Sequence, residues 1–465
     1  MQSVQKQGTA PIGTLLLQYS LPAVAGFLAN AIYQFVDRVI VGRGVGTEGM
    51  AAVTSAYPLT MLAMGIGLLL GTGTGNMIST HLGKGEKDAA EKVLGQSLRL
   101  GVLLGTFLAA LLWIFARPVL RLCGAEGEVL EMAVPYLRIT AVGQIFLIAI
   151  ISMGNILRTQ GRPGLGLVFM ISGNVVNALL CAIGVYGLGW GVSGAAWATF
   201  AALALNLAAL LVFVQSRHSI LRIRRRNLSH DRALAARILG LGAPVFLMQI
   251  LGTLTFLAAN HGAGSLGGTR GIAMVGVFNT ISILLVYPAL GVVQAMQPLV
   301  AYNRGAGNID RVRRLLSSSL AITTAIGTAA ALAVALLPGP VASLFTRTDT
   351  RLVEMVRDGL PWFMVSIALF GVQGTASHYF LAIHQPLKAG ALLLGRQMLA
   401  IPLFVLLPMW FGMPGLYLVS AVADLPMALL AAWYLKGEWN RLAAESDNQV
   451  ASATGPLEVV EAETA

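Results

Sequence analysis

Displaced by 222 residues against itself, the chain superposes its backbone-shaping residues in one register. Pro22 falls on Pro244, Gly42 on Gly264, Gly46 on Gly268 and Thr47 on Thr269, and Gly49 and Ala51 fall on Gly271 and Ala273. LGKGEKDAAEKVL (82–94) lies over RGAGNIDRVRRLL (304–316), matching Gly83 with Gly305 and Gly85 with Gly307. Gly105 then meets Gly327 and Pro118 meets Pro340. After one residue of drift Glu131-Met132 meets Glu354-Met355, Pro163 meets Pro386, and GVSG (191–194) meets GMPG (412–415). Apolar segments match one another easily by chance, but glycines and prolines held in register over half a chain do not. The chain is an internal duplication.

Composition says what was duplicated. Of 465 residues 56% are hydrophobic and 11% charged, where a soluble domain carries about 25% charge. The 53 glycines suit helices that approach closely in lipid. A bilayer core takes about 20 apolar residues per helix. Such runs occupy 14–36, 50–78, 95–116, 133–155, 165–187 and 192–214, then 238–260, 274–301, 316–337, 360–382, 390–411 and 414–435. The expected fold is an all-α polytopic membrane protein of 12 transmembrane helices, arranged as two parallel six-helix repeats. Six is even, so both copies enter the membrane in the same direction and relate by an axis along its normal. The reading divides the chain into an N-terminal lobe (1–216), a basic cytoplasmic linker (217–237), a C-terminal lobe (238–444) and a disordered cytoplasmic tail (445–465). That tail carries Glu458, Glu461 and Glu463 and no aromatic residue.

The net charge of +11 invites a nucleic-acid partner, but its placement argues against one. Most Lys and Arg fall in alternate loops: Lys84, Lys87, Lys92, the cluster Arg217–Arg237, Arg304–Arg314, Lys388, Lys436 and Arg441. By the positive-inside rule those loops are cytoplasmic, and so are both termini. Arg222–Arg226 then reads as charge touching anionic lipid. Met1–Thr14 is polar, and the apolar run after it is long enough to remain as an anchor. Cys123 and Cys181 fall in a loop and inside a helix and are not expected to pair. A phosphate-binding loop, zinc-spaced His/Cys clusters and a nucleophile triad are all missing, which disfavours ATP drive, a metal site and an enzyme, including one acting on lipid. A two-fold repeated plan suits alternating access better than a channel.

One acid, Asp37, stands inside or at the edge of the first span. A carboxylate at a membrane helix centre costs about 2.5–3.5 kcal/mol, and residues kept there usually face a cavity. Asn30, Tyr33 and Asp37 are spaced i, i+3, i+7 and share one helical face. Asp37 also lies near the outer end of its helix, where pairing with Arg38 or Arg43 is the plain alternative. On the fifth helix Met170, Asn174, Asn177 and Cys181 share a face by the same rule, although Asn also serves as interhelical glue. Asp424, before Pro426, is a second intramembrane acid, read either as a transport residue or as a partner of Arg396. His261 and His378 read as interface residues. Met61, Met64, Met77, Met153 and Met170 are soft surfaces that suit varied ligands or ordinary packing.

In order along the chain stand Pro22, YQFVDRVIVGRGVG (33–46), LGKG (82–85), NILRTQGRP (155–163), NALLC (177–181), GVSGAAWAT (191–199) and RGAGN (304–308). With the duplication, this series resembles the multidrug and toxic compound extrusion (MATE) transporters over about residues 14–440. The resemblance implies two V-shaped lobes and secondary active antiport, with cationic amphiphilic compounds exported in exchange for H+ or Na+. It makes Asp37 the coupling acid, with Asn177 and Thr199 completing a cation site. Asn30, Tyr33, Tyr136, Asn155, Met170, Asn174 and Cys181 line the substrate cavity. Many members carry an Asp where this chain has Cys181, and the loss of that hard oxygen ligand favours H+ over Na+. The repeat places Ala259 opposite Asp37, so the coupling chemistry is expected in the N-terminal lobe alone. No cofactor and no fixed metal is implied; the partners are small molecules and membrane lipid, and the chain is expected to act as a monomer in an inner membrane. The nearest rival is a flippase for a lipid-linked precursor, which would need a basic cavity; the intramembrane charges counted in the sequence are two acids and Arg396.

Overall fold

The computed structural model describes residues 2–123, 125–228, 231–343 and 349–453. After a short helix at Gln2–Thr9, the first half holds α1 (Ile12–Val45), α2 (Thr47–Gly83), α3 (Lys87–Ile114), α4 (Gly127–Thr159), α5 (Pro163–Ala182) and α6 (Gly191–Gln215). Two long helical runs of the second half each break once. Arg232–Gly305 turns at Gly268 into α7 (232–267) and α8 (269–305), and Pro386–Ala453 turns at Gly412 into α11 (386–411) and α12 (413–453). Between them lie α9 (Ile309–Leu336) and α10 (Thr350–Ala382). Twelve long helices result, and each contains or nearly contains one of the twelve apolar runs. There is no strand among the described residues.

The breaks follow the repeat. Backbone with positive φ favours glycine, which has no Cβ to clash. Gly46 (φ 89) and its counterpart Gly268 (φ 56) divide the first two helices of each half. Gly85 (φ 78) pairs with Gly307 (φ 75), and Gly191 (φ 56) with Gly412 (φ 60). The fourth pair is unequal: Gly161 (φ 77) is matched by His384 (φ 61), the one non-glycine with positive φ among the described residues. Helix starts are equally local. Pro163 opens α5 at a position where its missing N–H costs nothing. Asp231 and Asp349 cap α7 and α10, accepting from Leu234 N and Leu352 N.

Two large apolar cores run across the seam, one around Leu70, Leu94, Leu112, Ile148 and Met153 that takes in Ile238 and Tyr302 of the second half, the other around Val300, Leu315, Tyr379 and Phe380 that takes in Leu15, Leu16 and Tyr19 of the first. The halves meet along a seam that is closest at the end bearing the loops 84–86, 160–162, 306–308 and 383–385, here named the basic end. A Cβ on Gly83 would stand 2.0 Å from Tyr302 O, and one on Gly305 would stand 2.2 Å from Thr80 O. These contacts exchange under the repeat, so α2 and α8 cross glycine-on-carbonyl in both directions. Likewise Gly242 of α7 lies over Leu69 O of α2, and Gly291 of α8 lies over Ser20 O of α1. Farther along, Phe27 stacks on Tyr287 at 4.8 Å. Toward the opposite end, Ile32, Phe35, Leu257 and Leu284 are exposed.

Two segments outside the repeats strap the seam. Gln7, fully buried, donates from Nε2 to Thr159 O at 3.0 Å, while its own carbonyl accepts from Asn303 Nδ2 at 3.0 Å. The basic linker folds onto α3: Arg224 lies 2.8 Å from the buried Glu91, Arg226 lies 3.3 Å from Asp88, and Lys92 lies 2.8 Å from Asp231. Arg224 and Arg226 therefore turn to protein carboxylates rather than to lipid, because α3 presents acids that stand some 130 residues earlier in the chain. The last helix continues through Ala453, beyond residue 445, and Glu445 pairs with Arg304 and Arg441. Glu458, Glu461 and Glu463 lie outside the described residues.

Candidate functional site

α1 is seated on α5 by small residues. A Cβ on Gly26 would meet Met170 Cε at 3.1 Å, and one on Gly44 would meet Val185 at 2.1 Å. The Tyr186 hydroxyl donates to Ile40 O at 3.0 Å. This packing turns the Asn30–Tyr33–Asp37 face into the N-terminal lobe, where the Asp37 carboxylate lies beside the Cys181 thiol. Tyr33 and Tyr136 stand beside the same carboxylate. Cys181 is fully buried with Val41, Val185 and Ala198 around it. Asp37 makes no ion pair with Arg38 or Arg43 among the described residues.

One turn before Cys181 on the same face of α5 lies Asn177, 5% exposed, whose Oδ1 has no hydrogen-bond donor. Asn174 Nδ2, another turn away, is buried without an acceptor. Thr199 of α6 donates to Ala195 O at 3.0 Å, which leaves its oxygen lone pairs. The lobe thus offers a carboxylate and an unfilled amide oxygen, the donor set a proton or a hard monovalent cation would use. No group of three His, Cys, Asp or Glu suited to a metal ion occurs among the described residues.

Asn155 lies elsewhere. It stands 19 residues past Tyr136 on α4, roughly 28 Å along the helix, and donates to Ile151 O at 3.2 Å. It is half-buried near the basic end. Asp424, 2% exposed, belongs to the other lobe, where Arg396 Nε and Ser366 Oγ both donate to it. Its charge is thereby matched within α10, α11 and α12. His378 Nδ1 lies 2.9 Å from Gly374 O on its own helix.

The MatE family profile matches this chain twice, over residues 22–183 and 244–406. The chain belongs to the MATE family. The two matches begin 222 residues apart, the spacing of the internal repeat. Multidrug export protein MepA of Staphylococcus aureus is 26% identical over 429 residues, covering 91% of this chain and 93% of that one. A protein named FAD transporter from Shewanella oneidensis is 25% identical over 437 residues, covering 92% and 95%. Among solved structures, an outward-facing MATE multidrug resistance transporter superposes with a TM-score of 0.86 at 23% identity, over 95% of this chain and 99% of that one. A MATE crystallised in a bent conformation superposes with a TM-score of 0.89 at 24% identity, over 96% and 99%. The structural likenesses establish the fold, and membership of the family makes the chain a transporter, not an enzyme.

One interior charge of this MATE transporter escaped the sequence reading. Arg158 ends α4 in the motif NILRTQGRP and reads as one more basic residue at a loop border. In the fold α8 closes over it, and its Nη1 donates to Gln294 Oε1. The apolar run ends at residue 155, but α4 continues through Thr159, so its last turn is still packed against a neighbour.

Proposed function

We propose that this MATE transporter exports cationic amphiphilic compounds across an inner membrane in exchange for H+, with Asp37 as the coupling acid and the basic end facing the cytoplasm. The observation that carries the reading is the half-buried Asp37 carboxylate, without an ion pair among the described residues and set beside the Cys181 thiol. As a carboxylate, Asp37 accepts from Cys181. Once protonated it becomes a donor, and Asn177 Oδ1 is the unfilled acceptor on the facing helix. Exchanging one bond for the other shifts α1 against α5, and Met170 against Gly26 transmits the shift along α1. A substrate cation that shares the lobe is favoured while Asp37 is charged and released when it is neutral. That is the reciprocity antiport requires. The halves, held together by glycine contacts at the basic end, supply one of the two states of alternating access.

Na+ is the second reading, carried by Asn177 Oδ1 and the free lone pairs of Thr199. The experiment is dye efflux from proteoliposomes under a proton or a sodium gradient, for wild type and Asp37→Asn. Proton-driven efflux that falls to the level of empty vesicles in Asp37→Asn supports the reading, whereas full coupled efflux in the mutant overturns it.

A further inference from the structure

At the basic end of the seam α2, α4 and α8 frame a small, half-open cavity of about 20 Å³. Its wall includes Thr72 and Asn76 from α2, Asn155 and Arg158 from α4, and Gln294 and Gln297 from α8. The first four come from one half of the molecule and the last two from the other. A Cβ on Gly71 would stand 2.4 Å from Asn155 Nδ2, so the absence of a side chain there is what lets Asn155 turn into the wall.

The charge in this cavity is one-sided. No carboxylate pairs with Arg158 among the described residues, and its Nη1 donates to the neutral Gln294 oxygen. A guanidinium carries five N–H donors in a planar fork. Gln297 Nε2, buried in the same wall, has no acceptor. Asn76 spends its Nδ2 on Leu381 O and Asn155 spends its own on Ile151 O. What remains is the Arg158 fork and the Gln297 N–H on the donor side, the amide oxygens of Asn76 and Asn155 on the acceptor side, and one uncompensated positive charge. An interior cation without a counter-charge is costly, and a planar fork beside an amide N–H matches the two oxygens of an oxyanion.

We infer that this cavity binds an oxyanion, the carboxylate or phosphate of a transported substrate, through Arg158 and Gln297. The inference rests on the transporter reading and widens its substrate class from cations to zwitterions. Because the wall is drawn from both halves, closing the basic end seals the anion between them, and opening it presents Arg158 to the solution on that side.

The test uses the full-length protein in proteoliposomes and two xanthene dyes, one with a free carboxylate and its ethyl ester, which differ only in the negative charge. For wild type, Arg158→Gln and Arg158→Lys, the readout is the ratio of carboxylate-dye to ester-dye export. Loss of one charge-assisted bond is expected to lower that ratio by about tenfold or more in Arg158→Gln, with Arg158→Lys retaining part of it. An unchanged ratio overturns the site, and so does equal loss of both dyes, which assigns Arg158 a structural role. Should Arg158→Gln fail to fold, Gln297→Leu removes the second donor, and the same ratio decides in the same way. Inorganic phosphate and phosphatidylglycerol are then tried as competitors of the carboxylate dye in wild type. Competition by phosphate alone supports a substrate-facing site, and competition by the lipid alone overturns that assignment in favour of a headgroup. Absence of ester-dye export under any gradient would instead defeat the antiporter reading, so the two failures are distinct.

Discussion

Inside the N-terminal lobe a carboxylate and a thiol share the place where a second carboxylate would make a stronger cation site. Asp37 lies beside Cys181, and sulfur is a poor ligand for a hard ion. Under the proposed proton coupling, Cys181→Asp is therefore expected to add Na+-driven efflux, read as Na+ stimulation of dye export at fixed pH. Unaltered ion preference in a folded Cys181→Asp protein would show that Asp37 and Asn177 do not form one site. At this scale the sequence was legible where spacing alone decides. The i, i+3, i+7 face of α1 and the helical face of α5 both exist, because one helix suffices to define them. Arg158 was not legible: its interior position depends on Gln294, 136 residues later. His384 stood between. Its pairing with Gly161 could be worked out from the register of Pro163 on Pro386, but its contact with Thr80 Oγ1, at 3.4 Å, could not.

Helices and their crossings form the next scale. The twelve spans were readable from apolar runs and the breaks from repeated glycines, since both are local properties of the chain. Which carbonyl each glycine would meet was hidden, because that is fixed only when two helices cross. The reciprocal contacts of Gly83 with Tyr302 O and Gly305 with Thr80 O leave no room for a methyl group. A carbon normally rests about 3.3 Å or more from a carbonyl oxygen, so Gly305→Ala must part α2 and α8 by roughly 1 Å. Overpacking of this kind costs about 1–3 kcal/mol, charged against the state sealed at the basic end. Spin labels at the loop ends of α2 and α8 are expected to report a larger open fraction in Gly305→Ala and in Gly83→Ala. Distances unchanged in both variants would mean that the seam does not hold the state.

Across the whole molecule the sealed end joins the loop of residues 383–385 to α2. Burial pushes the His384 imidazole below the usual histidine range, and the neighbouring His81 and Lys84 push it the same way. His81 itself lies 2.7 Å from Glu86. A base whose folded value is lowered binds fewer protons when packed than when free. The contact is therefore at full strength above the free value of about 6.5 and weakens as pH falls through it toward the folded value. Acidifying the basic side from about pH 8 to about pH 5 is expected to speed amide exchange in residues 380–386. His384→Asn, which also tolerates positive φ, should remove that dependence, and equal pH response in both proteins would exclude His384 as its source.

The short helix at Gln2–Thr9 belongs to neither repeat, yet Gln7 hydrogen-bonds both halves at once. An otherwise paired machine thus has a single-copy clasp, and it lies within ten residues of the chain's start. A purification tag fused there is a load on a moving joint, so transport rates compared between amino- and carboxyl-tagged preparations compare two different clasps.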